Sequence, residues 1–363
     1  MSLDRNFYPL KLEPIVKDKI WGGRNLERVV GKTLPPDLPI GETWEAWDGC
    51  HIANGIYTGR ILRDVFAADP CGMGGMKTMP REGLPLLFKF IDAHADLSLQ
   101  VHPNDAGAQR LENYPLGKTE AWYILDAEPD AQVAHGFKRD VTRAQWEAAL
   151  RDGTLNEWVA WTLARKGDVF FVPAGLLHAI GKGCVLAEIQ ENSDITYRVH
   201  DWGRTSRELH LNKATQVTTF KRTTTHTIPS LTIQHDAYTQ RVLVACRHFT
   251  FERLDIHGRC ETLTTNNKFQ ILSCITGEGE LLFNTTQSVP IKTGDTFLLP
   301  ARLGNYGVVP THECQLLRSY IPDVRADVIM PLRAAGHDDA SIAKLGGEWA
   351  EANDVWQRMK DEG

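Results

Sequence analysis

Polar and apolar residues alternate through LSLQVHPND (97–105). In a strand, Leu97, Leu99 and Val101 point one way while Ser98, Gln100 and His102 point the other. Pro103 ends the run, because it brings no backbone N–H to a ladder. Comparable β-rich runs follow one another from Leu84 onward, among them LPLLFKFIDA, EAWYILDA, AQVAHGF, DVFFVPAG, GCVLAEIQ and ITYRVHDW, each bounded by turn residues. One helix is marked in VTRAQWEAALRDG, with Thr142 and Gln145 in a capping-box pattern and Gly153 where a C-cap belongs. Residues 1–83, which include IWGGRNL and GMGGMKTMPREG, read as irregular structure and short strands wrapped around the rest. Beyond about residue 326 the pattern turns helical. Trp349, Ala352, Trp356 and Met359 recur there as one stripe that packs a terminal helix onto the body.

An internal repeat organises the strands. WYILDAEP (122–129) has a counterpart in ILSCITGEGE (271–280), and ARKGDVFFVPAGLLHAIG (164–181) has a closer one in IKTGDTFLLPARLGNYGV (291–308). Gly167-Asp168 matches Gly294-Asp295, and Pro173-Ala174 matches Pro300-Ala301. Two copies of strand, turn, strand, GD, strand, PA predict a mainly β protein of two related β-barrel or jelly-roll units. The Thr-rich stretch VTTFKRTTTHTIPS (217–230) holds few large apolar residues, so the boundary is placed there.

Composition narrows the classes. At 363 residues there is material for two ordinary domains, and 40 basic against 46 acidic residues leave a net charge of −6, which argues against a general nucleic-acid binder. No apolar run is long enough to span a bilayer, and MSLDRNFYPL lacks the regions of a signal peptide. The seven cysteines are scattered and form no CxxC pair, so neither a disulfide framework nor a cysteine metal site is indicated. A reducing, cytoplasmic setting is the expectation.

Chemistry concentrates in the first repeat. Gln100 and His102 share a strand face, Glu120 opens EAWYIL, and His178 follows PAGLL just after a strand. Two imidazoles, a carboxylate and an amide oxygen make a ligand set for a divalent metal, zinc first among them. In the second repeat Gln270 stands for Glu120 and Asn305 for His178, so the ligand chemistry belongs to the first copy alone. Two neutral imidazoles, a neutral amide and one carboxylate leave a bound Zn²⁺ about one net positive charge, which suits an open Lewis-acid site. Lys118, Glu188, Arg198 and Arg204 cluster around these positions in sequence, and an Arg or Lys among them can hold a phosphate.

FKFIDAHADLSLQVHPND, KTEAWYIL, GDVFFVPAGLLHAIGKG and SDITYRVHDWGR together resemble the type I mannose-6-phosphate isomerases, in their shorter bacterial form, from about Leu10 to Ile321. The resemblance implies two cupin units. They are a catalytic metal-binding domain over 1–230 and a metal-free domain over 231–325, while the helical extension over 326–363 lies outside the resemblance. It also implies zinc-dependent interconversion of mannose 6-phosphate and fructose 6-phosphate, a small-molecule sugar phosphate as partner, and neither nucleic acid nor membrane. Position by position, it puts the zinc ligands on Gln100, His102, Glu120 and His178, and the essential arginine on Arg198. Lys118 and Glu188 become the proton-handling candidates, with His94 a weaker one, and Ser98 and Arg204 fall on the phosphate side. The chain departs from the longer relatives at Ile180, where they carry tyrosine, at Arg204, where they carry lysine, and at Asp105, where they carry a basic residue. The rival readings are a cupin of another reaction type, such as a dioxygenase or a sugar-phosphate epimerase, and a sugar-responsive binding protein without turnover.

Overall fold

The computed structural model describes residues 7–75, 83–284 and 286–361; residues 1–6 and the 76–82 part of the Gly- and Pro-rich run lie outside them. The first barrel is made of two antiparallel sheets. One has the strand order Val169–Val172, Glu120–Ala127, Cys184–Glu191, Leu86–Ala93, Ile40–Ala46, Ile15–Gly23. The other runs Tyr197–His200, Leu99–Val101, His178–Ile180, Gln132–Phe137, Val159–Leu163. Alternation gives each sheet two faces with different jobs. Trp122, Phe170, Val172, Leu186 and Ile91 meet Val133 and Ile180 inside the barrel. On the outer face of the five-stranded sheet, Leu99, Val101, Ala134 and Ala179 pack against Trp146 and Ala214 of the helices Arg143–Asp152 and Leu211–Val217.

The outer face of the six-stranded sheet is apolar too, and it has a different cover. Phe88, Phe90, Tyr123, Ala187 and Ile189 share one core with Val244, Phe251, Ile271, Leu298 and Leu317 of the second barrel. Each large side chain buried there contributes about 1.5–3 kcal/mol, so this seam joins the two barrels firmly. The second barrel repeats the plan with an eight-stranded and a four-stranded sheet. Leu317 faces the shared seam while Leu316 faces the barrel's own interior, beside Leu254, Leu272, Phe297 and Leu299.

The repeat holds down to single hydrogen bonds. Gly167 N donates to Ile124 O and Ile124 N to Asp168 O; Gly294 N donates to Cys274 O and Cys274 N to Asp295 O. Both glycines lie in left-handed backbone, at φ 93° and 90°, which a β-carbon would strain.

Two expectations need correction. Ile15–Gly23 and Ile40–Ala46 are strands of the barrel itself rather than a wrapping; the charges of IVKDKIWGG disguise an edge strand. The tail is a chain of short helices, Met330–Ala334, Asp339–Ala343 and Asp354–Lys360, after a π-helical turn. Asn353 accepts a hydrogen bond from Trp356 N and starts the last helix afresh, so Trp349 lies outside it. Val355 and Met359 are buried there, whereas Trp356 is 38% exposed. The Arg143–Asp152 helix has the capping box at Thr142 and Gln145 and a left-handed Gly153, as its sequence predicts.

Candidate active site

Strand pairing assembles the cluster. Gln100 pairs with His178 on one side and with Arg198 on the other, so three polar side chains fall on one face of the five-stranded sheet. On the opposing sheet Glu120 sits at the first position of its strand, across from Val172 and Gln190. His102 follows the Leu99–Val101 strand, just before Pro103 turns the chain. His178 Nε2 lies 3.2 Å from Glu120 Oε1, and His102 Nε2 lies 3.6 Å from Glu120 Oε2. Gln100 Nε2 is 3.4 Å from His178 Nε2, while Ser98 Oγ donates to Gln100 Oε1 at 3.2 Å. A half-turn of that amide exchanges its two ends without moving the chain and brings Oε1 onto the cluster.

Both imidazoles are oriented by the backbone. His102 Nδ1 is 2.8 Å from Ile195 O and His178 Nδ1 is 2.8 Å from Leu176 O. Only an N–H can donate to a carbonyl, so each ring carries its proton on Nδ1 and turns an Nε2 lone pair toward Glu120. Burial, reinforced by Lys118, keeps the His102 pKa well below its ordinary value. Burial alone would push Glu120 up, but Lys118 and the two imidazoles hold it well below the usual carboxylate range. The result is two ring nitrogens turned toward an ionised carboxylate. His102 Nε2 and both oxygens of Glu120 are buried without a hydrogen-bond partner. Orphaned buried donors of this kind are costly unless something else takes the lone pairs. The ligand atoms of His102, Glu120 and His178 all lie within 4.8 Å of one another, close enough to hold one ion. This donor set fits a divalent metal of the zinc type.

The other sequence candidates distribute themselves around this cluster. Lys118 Nζ is 3.5 Å from Glu120 Oε2. Glu188 is buried one strand over, paired with Lys89 at 2.9 Å and accepting a hydrogen bond from Trp122 Nε1 at 2.8 Å. Burial and the neighbouring Glu120 charge raise its pKa against the pull of Lys89. Arg198 donates through Nη1 to Glu208 O at 2.9 Å, and its Nε is buried without a partner. Arg204 lies on the following loop, bound to Asp201 and to Asp96 O. His94 is on an exposed turn after the Leu86–Ala93 strand and is not brought to the cluster. Sequence reasoning missed Lys89 and Glu42, which extend the Glu188 pair into a buried chain: Lys89 is 3.9 Å from Glu42, and Trp44 Nε1 donates to Glu42 at 2.6 Å. A lysine between Phe88 and Phe90 was the available signal.

The geometry can be set beside known proteins. The model of the type I phosphomannose isomerase catalytic domain matches residues 10–116, and that of the mannose-6-phosphate isomerase cupin domain matches 239–321. The mannose-6-phosphate isomerase ManA of Bacillus subtilis is 34% identical over 324 residues, covering 84% of this chain and 97% of the relative. The chain belongs to the type I mannose-6-phosphate isomerase family. Another member of the family, the mannose-6-phosphate isomerase of Streptococcus mutans, is 31% identical over 84% of this chain and 99% of its own. The crystal structure of the B. subtilis mannose 6-phosphate isomerase superposes with a TM-score of 0.79 at 32% identity, over 86% of this chain and 99% of the other. A variant of the Salmonella typhimurium phosphomannose isomerase matches with a TM-score of 0.70 at 18% identity, over 86% of this chain and 99% of the other, which shows the shared fold. Among the described residues no helix is long and apolar enough to cross a membrane. All seven cysteines are free.

Proposed function

We propose that this chain interconverts mannose 6-phosphate and fructose 6-phosphate through an enediol, moving a proton between C1 and C2, with zinc held by Gln100, His102, Glu120 and His178. The observation that carries this reading is the trio of orphaned atoms, His102 Nε2 and the two Glu120 oxygens, facing one another in a barrel that also presents Lys118. When bound, the ion acts as a Lewis acid toward substrate oxygens and lowers the cost of negative charge on the enediolate. We divide the chain as 1–230 catalytic, 231–325 metal-free and 326–363 a helical extension, working in a reducing cytoplasm that its free cysteines suit.

Lys118 and Glu188 handle the proton. The two oxygens of Glu188 face Lys89 and Trp122, which fixes the carboxyl plane, and its raised pKa brings proton gain and loss closer to neutral pH. Arg198, beside Gln100 with an unpartnered Nε, offers charge where the enediolate becomes negative. Ser98 and Arg204 hold the phosphate; Nη1 of Arg204 takes no part in its bonds to Asp201 and Asp96.

A coupled assay from mannose 6-phosphate to fructose 6-phosphate tests this. Chelation is expected to abolish turnover and zinc to restore it, and Arg198→Ala is expected to lose about 10²-fold in kcat with zinc content kept. No conversion after zinc is restored would refute the isomerase reading. Full turnover in Arg198→Ala would remove that residue from the mechanism.

A further inference from the structure

Lys118 lies in the short turn Gly117–Thr119 and Glu120 directly follows it, and every backbone N–H of that turn is held from outside it. Gly117 N donates to Asp105 Oδ1 at 2.7 Å, Lys118 N to Pro103 O at 2.9 Å, and Thr119 N to Glu191 Oε2 at 2.9 Å. Glu191 N returns a bond to Thr119 O at 3.2 Å. The other oxygen of Glu191 meets His248 Nδ1 at 2.9 Å, and His248 belongs to the second barrel, in the turn between Tyr238–Ala245 and Thr250–Ile256. Arg247 Nε donates to His248 Nε2 at 3.0 Å, so the ring proton is on Nδ1 and points at Glu191. Arg247 is itself anchored, its backbone N donating to Asp354 Oδ2 of the tail at 2.8 Å. A continuous chain of hydrogen bonds therefore runs from the tail through the second barrel to the turn that carries the candidate lysine and carboxylate.

We propose that His248 is a positioning residue: through Glu191 it sets the Gly117–Thr119 turn and so the placement of Lys118 and Glu120 for isomerisation. Asp105, Glu191 and His248 also lie close enough to suggest an ion, with ligand atoms within 4.8 Å. One oxygen of each carboxylate already accepts a backbone N–H, and His248 Nδ1 is turned onto Glu191. The cluster is a strut. Glu191 is 2% exposed, so its bonds to Thr119 and His248 are shielded from competing water. The second barrel, which lacks the metal-ligand set, thereby acquires a function toward the first.

The inference rests on Lys118 and Glu120 acting as proposed, and the test separates the two. His248→Ala, His248→Asn and Lys118→Ala are compared in the full-length protein by kcat and KM for mannose 6-phosphate, by zinc titration of the metal-free protein, and by thermal unfolding. Asn is chosen because its side-chain amide nitrogen stands near the place of His Nδ1 and can donate to Glu191. His248→Ala is expected to lose about tenfold in kcat and about tenfold in zinc affinity with KM within about twofold, the size typical for partners that orient metal ligands. His248→Asn is expected to recover both. Wild-type kcat and zinc affinity in His248→Ala, alongside a Lys118→Ala variant that has lost turnover, would overturn the positioning role and leave the site intact. Equal losses in His248→Ala and His248→Asn would overturn it as well, since the donated hydrogen bond would then be irrelevant. Full turnover in Lys118→Ala would instead overturn the reading of the site on which the inference stands.

Discussion

His135 stands next to His178 across a pair of strands, in the interior of the first barrel. Its Nε2 is 2.9 Å from Phe171 O, and the ring lines a cavity of about 20 Å³ with Thr223, Trp349 and other residues, room for one water. Burial pushes its pKa down to about 4. The unfolded chain takes up this proton near pH 6.5, before the folded one does, so the stabilisation is complete above 6.5 and is lost as pH falls toward 4. Between pH 7 and 5 the wild type is expected to lose about 2 kcal/mol that His135→Gln does not lose, read by urea unfolding at both pH values. Parallel losses in the two proteins would show that His135 does not titrate this way. At this scale the sequence told part of the story. Gln100, His102 and Ser98 were legible because alternation put three polar groups on one face. Lys89 and Glu42 were not, because their partners lie on neighbouring strands that a one-dimensional period cannot pair.

The turn Gly117–Thr119 shows how little freedom an element can have. A β-carbon on Gly117 would meet Asn104 C at 2.5 Å, Asp105 N at 2.6 Å and Pro103 O at 2.6 Å. These are backbone atoms that cannot swing aside. Gly117→Ala is therefore expected to displace the turn and lower kcat by roughly 10²-fold, the cost of misplacing reacting groups by about 1 Å. A kcat equal to wild type in the coupled assay would refute this. Elements with their own start and stop chemistry were readable, as the Thr142–Gly153 helix shows. Ile15–Gly23 was not, since an edge strand needs no strict alternation and the helix Asn25–Val30 separates it from its neighbour Ile40–Ala46. The tail is helical as its spacing suggests, but the stripe placed Trp349 in the same helix as Met359, while the Asn353 cap decides where that helix begins.

Across the whole molecule, one scaffold carries two different interiors. In the second barrel Gln270 opens its strand as Glu120 does in the first, yet it accepts from Tyr306 OH at 2.7 Å, and Asn305 is exposed. The charge there is a closed pair, Arg318 Nη2 to Glu252 Oε2 at 2.6 Å, with Tyr320 OH donating to Glu252 Oε1 at 3.2 Å. Glu252→Gln should cost about 3–5 kcal/mol by leaving a buried guanidinium unpaired, with zinc content still one per chain. Unfolding measurements and metal analysis check both parts, and a second zinc in the wild type would contradict the closed interior. The internal repeat made this duality legible in advance, because matching positions exposed what the second copy lacks.

The strand Leu10–Glu13 pairs with Thr296–Leu299, far along the chain, and much of the outer face of the first barrel's six-stranded sheet is covered by the second. On a ribosome this means that the half carrying the chemistry is made first and completed last. Until residue 299 has emerged, Leu10 and Lys11 lack their strand partners, with only the short His51–Ile52 strand beside Leu10–Glu13, and Phe88 and Phe90 lack the cover of the second barrel. Contacts of such long sequence separation are the slow ones to form. The waiting period, more than the finished protein, is when this chain is most open to aggregation and has most need of a chaperone.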